Sequence, residues 1–246
     1  MNLNSTLIDY LEDLSKTPNS RLIIIGERGW FVVQSYDIPA RVLCEAATNT
    51  HLPEELRIPK DKEQFLTNAN YTSRRGKRSI GKMVTLKERR QKEELSNEIL
   101  TLLKQVYGEE SPEFKMQTNV RSGVTNNKLH TKIRILSRER TMKSRQDFYK
   151  AVVTTTLLLA MENDAPKAFG SLGPYVSYGA FTDDKAIRTW DPRGVDYKKI
   201  PGKELFPLLK SLDAGSLFIN PQGDIGGELY RNEIESLCEG IKKLKL

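Results

Sequence analysis

The feature of this sequence that most limits its fold is the length of its apolar runs, which are all short. The longest, LIIIG around Ile23 and LLLAM around Leu158, have the size of a β-strand and are too short to span a membrane. Segments with helical spacing lie between these runs, and glycine, proline or polar turns separate them. The pattern predicts an α+β protein without a membrane span.

The first strands are predicted from two apolar runs, RLIIIG and WFVVQSY, which a GERG turn separates as in a hairpin. The next run, RVLCEAATN (41–49), alternates with a period of two and predicts a third strand. GKMVTLK predicts another strand inside a basic segment.

Helices are predicted where apolar residues recur every three to four positions. Ser5 is the expected cap of a first helix, and residues 60–68 predict a short one. The clearest helix carries Leu95, Ile99, Leu102 and Val106, and Gly108 is its stop signal.

In the second half, KIRIL (132–136), LLLAME (157–162), PYVSYGAFT (174–182) and SLFIN (216–220) predict strands. Helices are expected from Ser144, from DDKAIRTW with Thr182 as its cap, and from 229 to the end.

The charge is +7 overall, but it is concentrated in two segments. Residues 71–92 hold nine basic side chains and one acid, and residues 115–150 hold ten basic side chains and two acids. The rest of the chain is acidic. This pattern predicts an acidic partner, and solvated loops that keep the protein soluble are the simpler alternative.

Cysteines and histidines offer little chemistry. Cys44 and Cys238 lie among apolar residues, have no metal-ligand spacing, and are predicted to be buried thiols in a reducing cytoplasm. The acidic N-terminus, MNLNSTLIDYLED, does not resemble a signal peptide, so we expect a cytoplasmic protein. His51 and His130 are expected in turns or on the surface, and we predict no metal site and no cofactor.

No catalytic motif is recognisable. Asp183 and Asp184 are most simply first-turn acids of a helix. An undetected enzyme site stays an alternative, and Tyr175, Tyr178, Asp183 and Trp190 are where it would be sought.

Residues 214–229, AGSLFINPQGDIGGEL, run from a short strand through Asn-Pro to three glycines. Two glycines before a helix resemble an anion-binding N-terminus, but Glu228 would repel a phosphate. We interpret the stretch mainly as a tight turn and leave contact with a ligand or peptide open.

The same stretch, together with DFYKAVVTTTLLLAMEN and YGAFTDDKAIRTW, resembles the SseB N-terminal-domain family over Asp147 to Leu244. The resemblance implies a small α/β domain without an established catalytic activity. Residues 20–108 more faintly resemble the peptide-binding superfamily of type III secretion chaperones and YbjN-like proteins, in particular at RVLCEAATNTHLP. That resemblance implies an open sheet backed by helices, often dimeric, that binds an extended partner segment. The basic segment 71–92 departs from the pattern.

Together these inferences predict two small α/β sandwich-like domains, each with a mostly antiparallel sheet backed by helices. We expect a chaperone-like domain over 1–112, a basic linker over 113–143 and an SseB-like domain over 144–246. The predicted function is a non-catalytic adaptor for an acidic protein or peptide, with a homodimer left open. The residues expected to contact the partner are Arg74, Arg75, Arg78, Arg89, Arg90, Trp30 and Phe31. The alternative is a nucleic-acid-binding protein that contacts phosphates through 71–92 and 128–145.

Overall fold

The computed structural model describes residues 2–73, 79–118, 121–223 and 225–244. The chain divides into two compact units, residues 1–121 and 122–246. Each unit contains one mostly antiparallel sheet with helices packed on it, so the predicted α+β class is confirmed.

The first unit begins with a helix and contains a six-stranded antiparallel sheet in the order β4-β5-β3-β2-β1-β6. Its elements are α1 (Leu3–Lys16), β1 (Arg21–Ile25), β2 (Trp30–Ser35), β3 (Arg41–Ala46), α2 (Lys60–Asn68), β4 (Thr72–Ser73), β5 (Ile80–Thr85), α3 (Arg89–Leu102) and β6 (Glu113–Gln117). A 3₁₀ turn (Glu54–Leu56) precedes α2, and a π-helical turn (Leu103–Tyr107) continues α3.

The predicted hairpin is confirmed, with Ile25 opposite Trp30 and a Gly26 N–H that donates to the Gly29 carbonyl at 2.8 Å. Its two glycines are needed because other parts of the chain lie close. A Cβ on Gly29 would overlap the ring of Tyr107, and one on Gly26 would overlap the side chain of Glu109. The turn is therefore fixed against the end of the α3 region.

Helices α1 and α3 pack on each other through apolar stripes that include Leu7, Leu11 and Ile99, all fully buried. Asn2 caps α1, since its side chain accepts from the Asn4 N–H at 3.1 Å; the predicted cap, Ser5, lies inside the helix. The helical region of α3 ends as expected at Gly108, which adopts a left-handed conformation (φ 74°).

The second unit has a sheet in the order β11-β7-β10-β12-β13, in which β10 and β12 are parallel and the other pairs are antiparallel. Its elements are α4 (Asn127–Glu139), α5 (Met142–Val153), β7 (Thr156–Glu162), β8 (Ala165–Pro166), β9 (Ala168–Leu172), β10 (Tyr175–Phe181), α6 (Asp184–Trp190), β11 (Asp196–Pro201), α7 (Gly202–Ser211), β12 (Ser216–Ile219), β13 (Gly227–Tyr230) and α8 (Arg231–Leu244).

Side chains of the continuous apolar strand β7 alternate between two buried clusters. Leu157 and Leu159 face the cluster formed with α4, α5, α7 and α8, whereas Leu158 and Ala160 face the smaller cluster that includes α6. Burial on both faces explains why this strand is apolar at almost every position.

The segment 113–143, predicted as a linker, is instead built into both units. Its residues 113–117 form β6, which pairs with β1, and the boundary between the units falls after Arg121. KIRIL was wrongly predicted as a strand. It lies in α4, where Leu129, Ile133 and Leu136 recur at helical spacing and face α5 and the sheet.

Two helix starts also differ from expectation. Asp183 rather than Thr182 caps α6, because its carboxylate accepts from the Ala186 N–H at 2.8 Å. The terminal helix begins at Arg231, because Leu229 and Tyr230 pair with β12 as part of β13.

Candidate functional site

The predicted basic surface at 71–92 is described only in part, and Arg74, Arg75 and Arg78 lie outside the described residues. Arg89 and Arg90 are exposed in the first turn of α3, where they pair with Glu93 at 3.0 Å and Glu94 at 2.8 Å. Exposed pairs of this kind leave little net charge for a partner.

Two further lysines of this segment are structural. Lys92, with only 5% of its side chain exposed, binds Glu12 at 2.5 Å between α3 and α1. Lys82 binds Glu98 at 2.5 Å and the Ala69 carbonyl at 3.1 Å. These contacts join helices and strands within the first unit.

Trp30 and Phe31, which were predicted near a groove, lie in the core. Phe31 is fully buried and makes edge-on ring contacts with Tyr71 and Tyr107, with centroids 5.7 and 6.0 Å apart. Trp30 is also buried and packs against the ring of His51. The assignment of both residues as partner contacts is therefore corrected, because sheet residues buried under helices present no surface.

Both cysteines are buried free thiols, as predicted. Burial raises the pKa of the Cys44 thiol to about 12 and also raises the pKa of Tyr71, whose hydroxyl lies 3.1 Å from Cys44 Sγ. A thiol that stays protonated and enclosed is a packing group rather than a nucleophile.

A polar junction lies where the parallel strands β10 and β12 end. Thr182 follows β10, Asn220 follows β12, and the Asn220 side chain joins them. Its Oδ1 accepts from the Thr182 N–H at 2.8 Å, and its Nδ2 donates to Thr182 Oγ1 at 2.9 Å and to the Ile225 carbonyl at 2.8 Å. The turn interpretation of the Asn-Pro stretch thus has a physical basis, since Asn220 holds both strand ends.

His130 reaches this junction from α4, where its Nε2 contacts Thr182 Oγ1 and lies 3.4 Å from Asp183 Oδ2. A hydroxyl-imidazole-carboxylate triad requires the carboxylate on the opposite ring nitrogen. Here both partners share Nε2, and Thr182 is fully buried. The arrangement fits a structural junction.

The residues named for an enzyme site have structural contacts. Tyr178 lies in the core, and Trp190 packs on Phe169 with ring centroids 4.8 Å apart. Tyr175 lies under the guanidinium of Arg231 at 4.4 Å.

The second unit has a groove of about 820 Å³ between the edge strand β13 and the helices α4 and α5. Such a volume is within the range of ligand-binding clefts. Apolar side chains and glycines form most of its lining. The lining residues are Ile133, Leu136, Ser137, Arg140, Arg145, Phe148, Tyr149, Ile219, Gly226, Gly227, Glu228, Leu229, Tyr230, Asn232 and Glu233.

Strand β13 pairs with β12 on one side and is the last strand of the sheet path through the described residues. The Tyr230 N–H does not bind β12, because it donates to Glu233 Oε2 at 3.0 Å. Backbone groups alternate in direction along an antiparallel strand. The N–H and C=O of Glu228, two residues earlier, therefore also point away from β12.

The charges around the groove are arranged asymmetrically. Arg140 ends α4 in a left-handed conformation (φ 51°), and Arg145 lies early in α5. Both are exposed, and neither has an acidic partner within 4 Å among the described residues. The carboxylate of Glu233 already accepts two hydrogen bonds, from the Tyr230 N–H and from the Tyr149 hydroxyl. Burial and this carboxylate raise the pKa of Tyr149 to about 12.

Sequence reasoning missed this groove because its two walls are far apart in the chain. The only signals were the helical spacing of Leu129, Ile133 and Leu136 and the glycines at 226 and 227.

Comparisons with protein-family models, with curated proteins and with solved structures gave no match. The two family resemblances therefore stay predictions. Within the described ranges, no helix is long and apolar enough to cross a membrane, and no three acidic, histidine or cysteine side chains are grouped to hold a metal ion.

Proposed function

We propose that this protein is a non-catalytic binding module that holds an extended acidic segment of a partner protein in the groove beside β13. The observation that carries the proposal is that one groove combines an open strand edge, an apolar floor and two arginines that have no acidic partner among the described residues.

Strand addition supplies the first part of the binding energy. An extended segment laid along β13 pairs with the outward N–H and C=O of Glu228, which gives affinity with little sequence demand. Alternate side chains of such a segment face the sheet surface and the solvent.

The floor and the rim supply selectivity. Leu136, Tyr149 and Tyr230, which keep exposed surface in the groove, offer apolar contact to the inward side chains of the segment. Arg140 and Arg145 favour carboxylates on the opposite side of the groove, and they increase the association rate with acidic partners. The basic surface at 71–92 stays a second predicted contact region.

The experiment measures binding of short fluorescein-labelled peptides by anisotropy. The probe alternates valine with aspartate, and the comparison peptide alternates valine with lysine. We expect the aspartate peptide to bind and the lysine peptide to bind much more weakly. Tighter binding of the lysine peptide would refute the assigned charge preference.

Glu228→Pro tests the strand edge, because proline removes the outward N–H. Glu228→Ala is its matched control, because it removes the same side chain and keeps the N–H. We expect a large loss of affinity in the proline variant alone. Equal affinities would show that no strand is added at β13.

Charge-reversal variants show whether binding depends on the arginines of the groove or on the basic charge of the protein in general. Arg140→Glu with Arg145→Glu should abolish binding, whereas Arg134→Glu with Arg138→Glu, on exposed positions of α4 outside the groove, should preserve it. If the second pair instead removes binding to single-stranded DNA with a steep salt dependence, the nucleic-acid alternative is favoured.

A further inference from the structure

A second concavity, in the first unit, gathers three basic side chains from two separate parts of the chain. Arg28 comes from the GERG turn, Arg57 from the loop before α2, and Lys62 from the first turn of α2. The remaining lining residues are Glu55, Leu56, Ile58, Pro59, Val106 and Tyr107.

The backbone that carries Arg28 is fixed by contacts already described. The Arg28 N–H donates to Glu109 Oε1, and Gly26 and Gly29 allow Glu109 and Tyr107 to lie directly against the turn. The hydroxyl of Tyr107, a lining residue of the concavity, donates to the Ala47 carbonyl at 2.7 Å, so the position of this ring is fixed too.

Asn49 fixes the second wall. Its Oδ1 accepts from the Ile58 N–H at 2.6 Å, and its Nδ2 donates to the Ile58 carbonyl and to Glu63 Oε1, each at 2.9 Å. Arg57 and the start of α2 are therefore held in place by one half-buried amide. The EAATN stretch, which carried the chaperone-like resemblance, thus has a specific structural role here.

The charges of this concavity are only weakly compensated. Among the described residues, the side chains of Arg28 and Lys62 have no acidic partner within 4 Å, and the one pair of Arg57, with Glu54, is exposed and 3.7 Å long. Glu55 is the single acid among the lining residues. Three cations on fixed backbone around one small space favour an anion with several oxygens.

The size limits the ligand. The concavity has a volume of about 270 Å³, just below the range of clefts that hold drug-sized molecules. We propose that it binds the phosphate group of a small phosphate monoester, with the arginines as bidentate donors and Lys62 as a point charge.

The test titrates the full chain with inorganic phosphate by calorimetry, with chloride keeping the ionic strength constant. The wild type is expected to bind one phosphate saturably. Arg28→Ala and Arg57→Ala should each raise Kd about tenfold or more, because each removes charge-assisted hydrogen bonds. Lys60→Ala is the matched control, since it removes an exposed charge on the same helix outside the concavity.

A second measurement locates the binding. Phosphate should shift the backbone amide signals of Arg28, Arg57 and Ile58 in ¹⁵N NMR spectra and leave those of Arg140 and Arg145 unchanged. Absence of saturable binding, an equal loss in Lys60→Ala, or shifts confined to the groove of the second unit would each overturn the proposal. None of these outcomes depends on the peptide experiment above.

Discussion

Replacing Asn220 by alanine is expected to destabilise the second unit by about 4 kcal/mol. The Thr182 N–H, in a fully buried residue, loses its acceptor, which costs about 2 kcal/mol. The two bonds donated by Nδ2 contribute about 1 kcal/mol. Asn220 also has φ 49°, and alanine costs about 1 kcal/mol more than asparagine or glycine in that left-handed region.

The assay is urea unfolding followed by tryptophan fluorescence. The chain has two tryptophans, one in each unit, so in a Trp30→Phe background Trp190 reports on the second unit alone. Asn220→Gly is the control for backbone conformation, and it should recover about 1 kcal/mol of the loss. A loss below about 1 kcal/mol in Asn220→Ala would refute the assigned role of this side chain. Equal values for alanine and glycine would refute the contribution assigned to the left-handed backbone conformation.

Three other predictions follow from the packing and the pKa shifts. Gly29→Ala should destabilise the first unit by about 1–3 kcal/mol, because the added Cβ overlaps the Tyr107 ring. Gly240→Ala should stabilise the second unit by about 0.5–1 kcal/mol, because Gly240 lies inside α8 with open space around it. Thermal unfolding of the two variants measures both changes. The Cys44 thiol should stay unreactive toward a disulfide reagent until the chain unfolds, and rapid labelling in the native state would contradict its burial. Hydrogen bonds from Lys16 and Lys92 lower the pKa of Glu12 to about 2. The ionised Glu12 should therefore stabilise the fold above pH 4.5, and this stabilisation should be lost as the pH falls toward 2. In Glu12→Gln, the free energy of unfolding should change less with pH over that range.

The elements predicted correctly were those with strong signals in their own residues, without contributions from distant parts of the chain. The β1–β2 hairpin is framed by two strongly apolar runs, and α3 combines a regular apolar stripe with Gly108. These local signals agree with the tertiary structure, so they were sufficient.

Other elements depend on contacts that a local pattern does not contain. β11 (DYKKIP) is an edge strand with mostly polar, half-exposed residues, and it is ordered by pairing with β7. KIRIL has strand-like composition, but its neighbours Leu129 and Ile133 complete a helical stripe that packs on α5. The groove needs α4 and β13 side by side, and that proximity follows only from the completed fold.

The parallel pairing of β10 with β12 has a consequence for synthesis on the ribosome. Strand β10 is central in its sheet, and its partner on one side, β7, is made before it, but its partner on the other side is made about 40 residues later. During that interval the nascent second unit holds an apolar strand with one open edge, at a stage when strands β1 to β6 of the first unit have already been made. Ribosome pausing between Phe181 and Ser216 would therefore expose an open strand edge that is prone to misassociation.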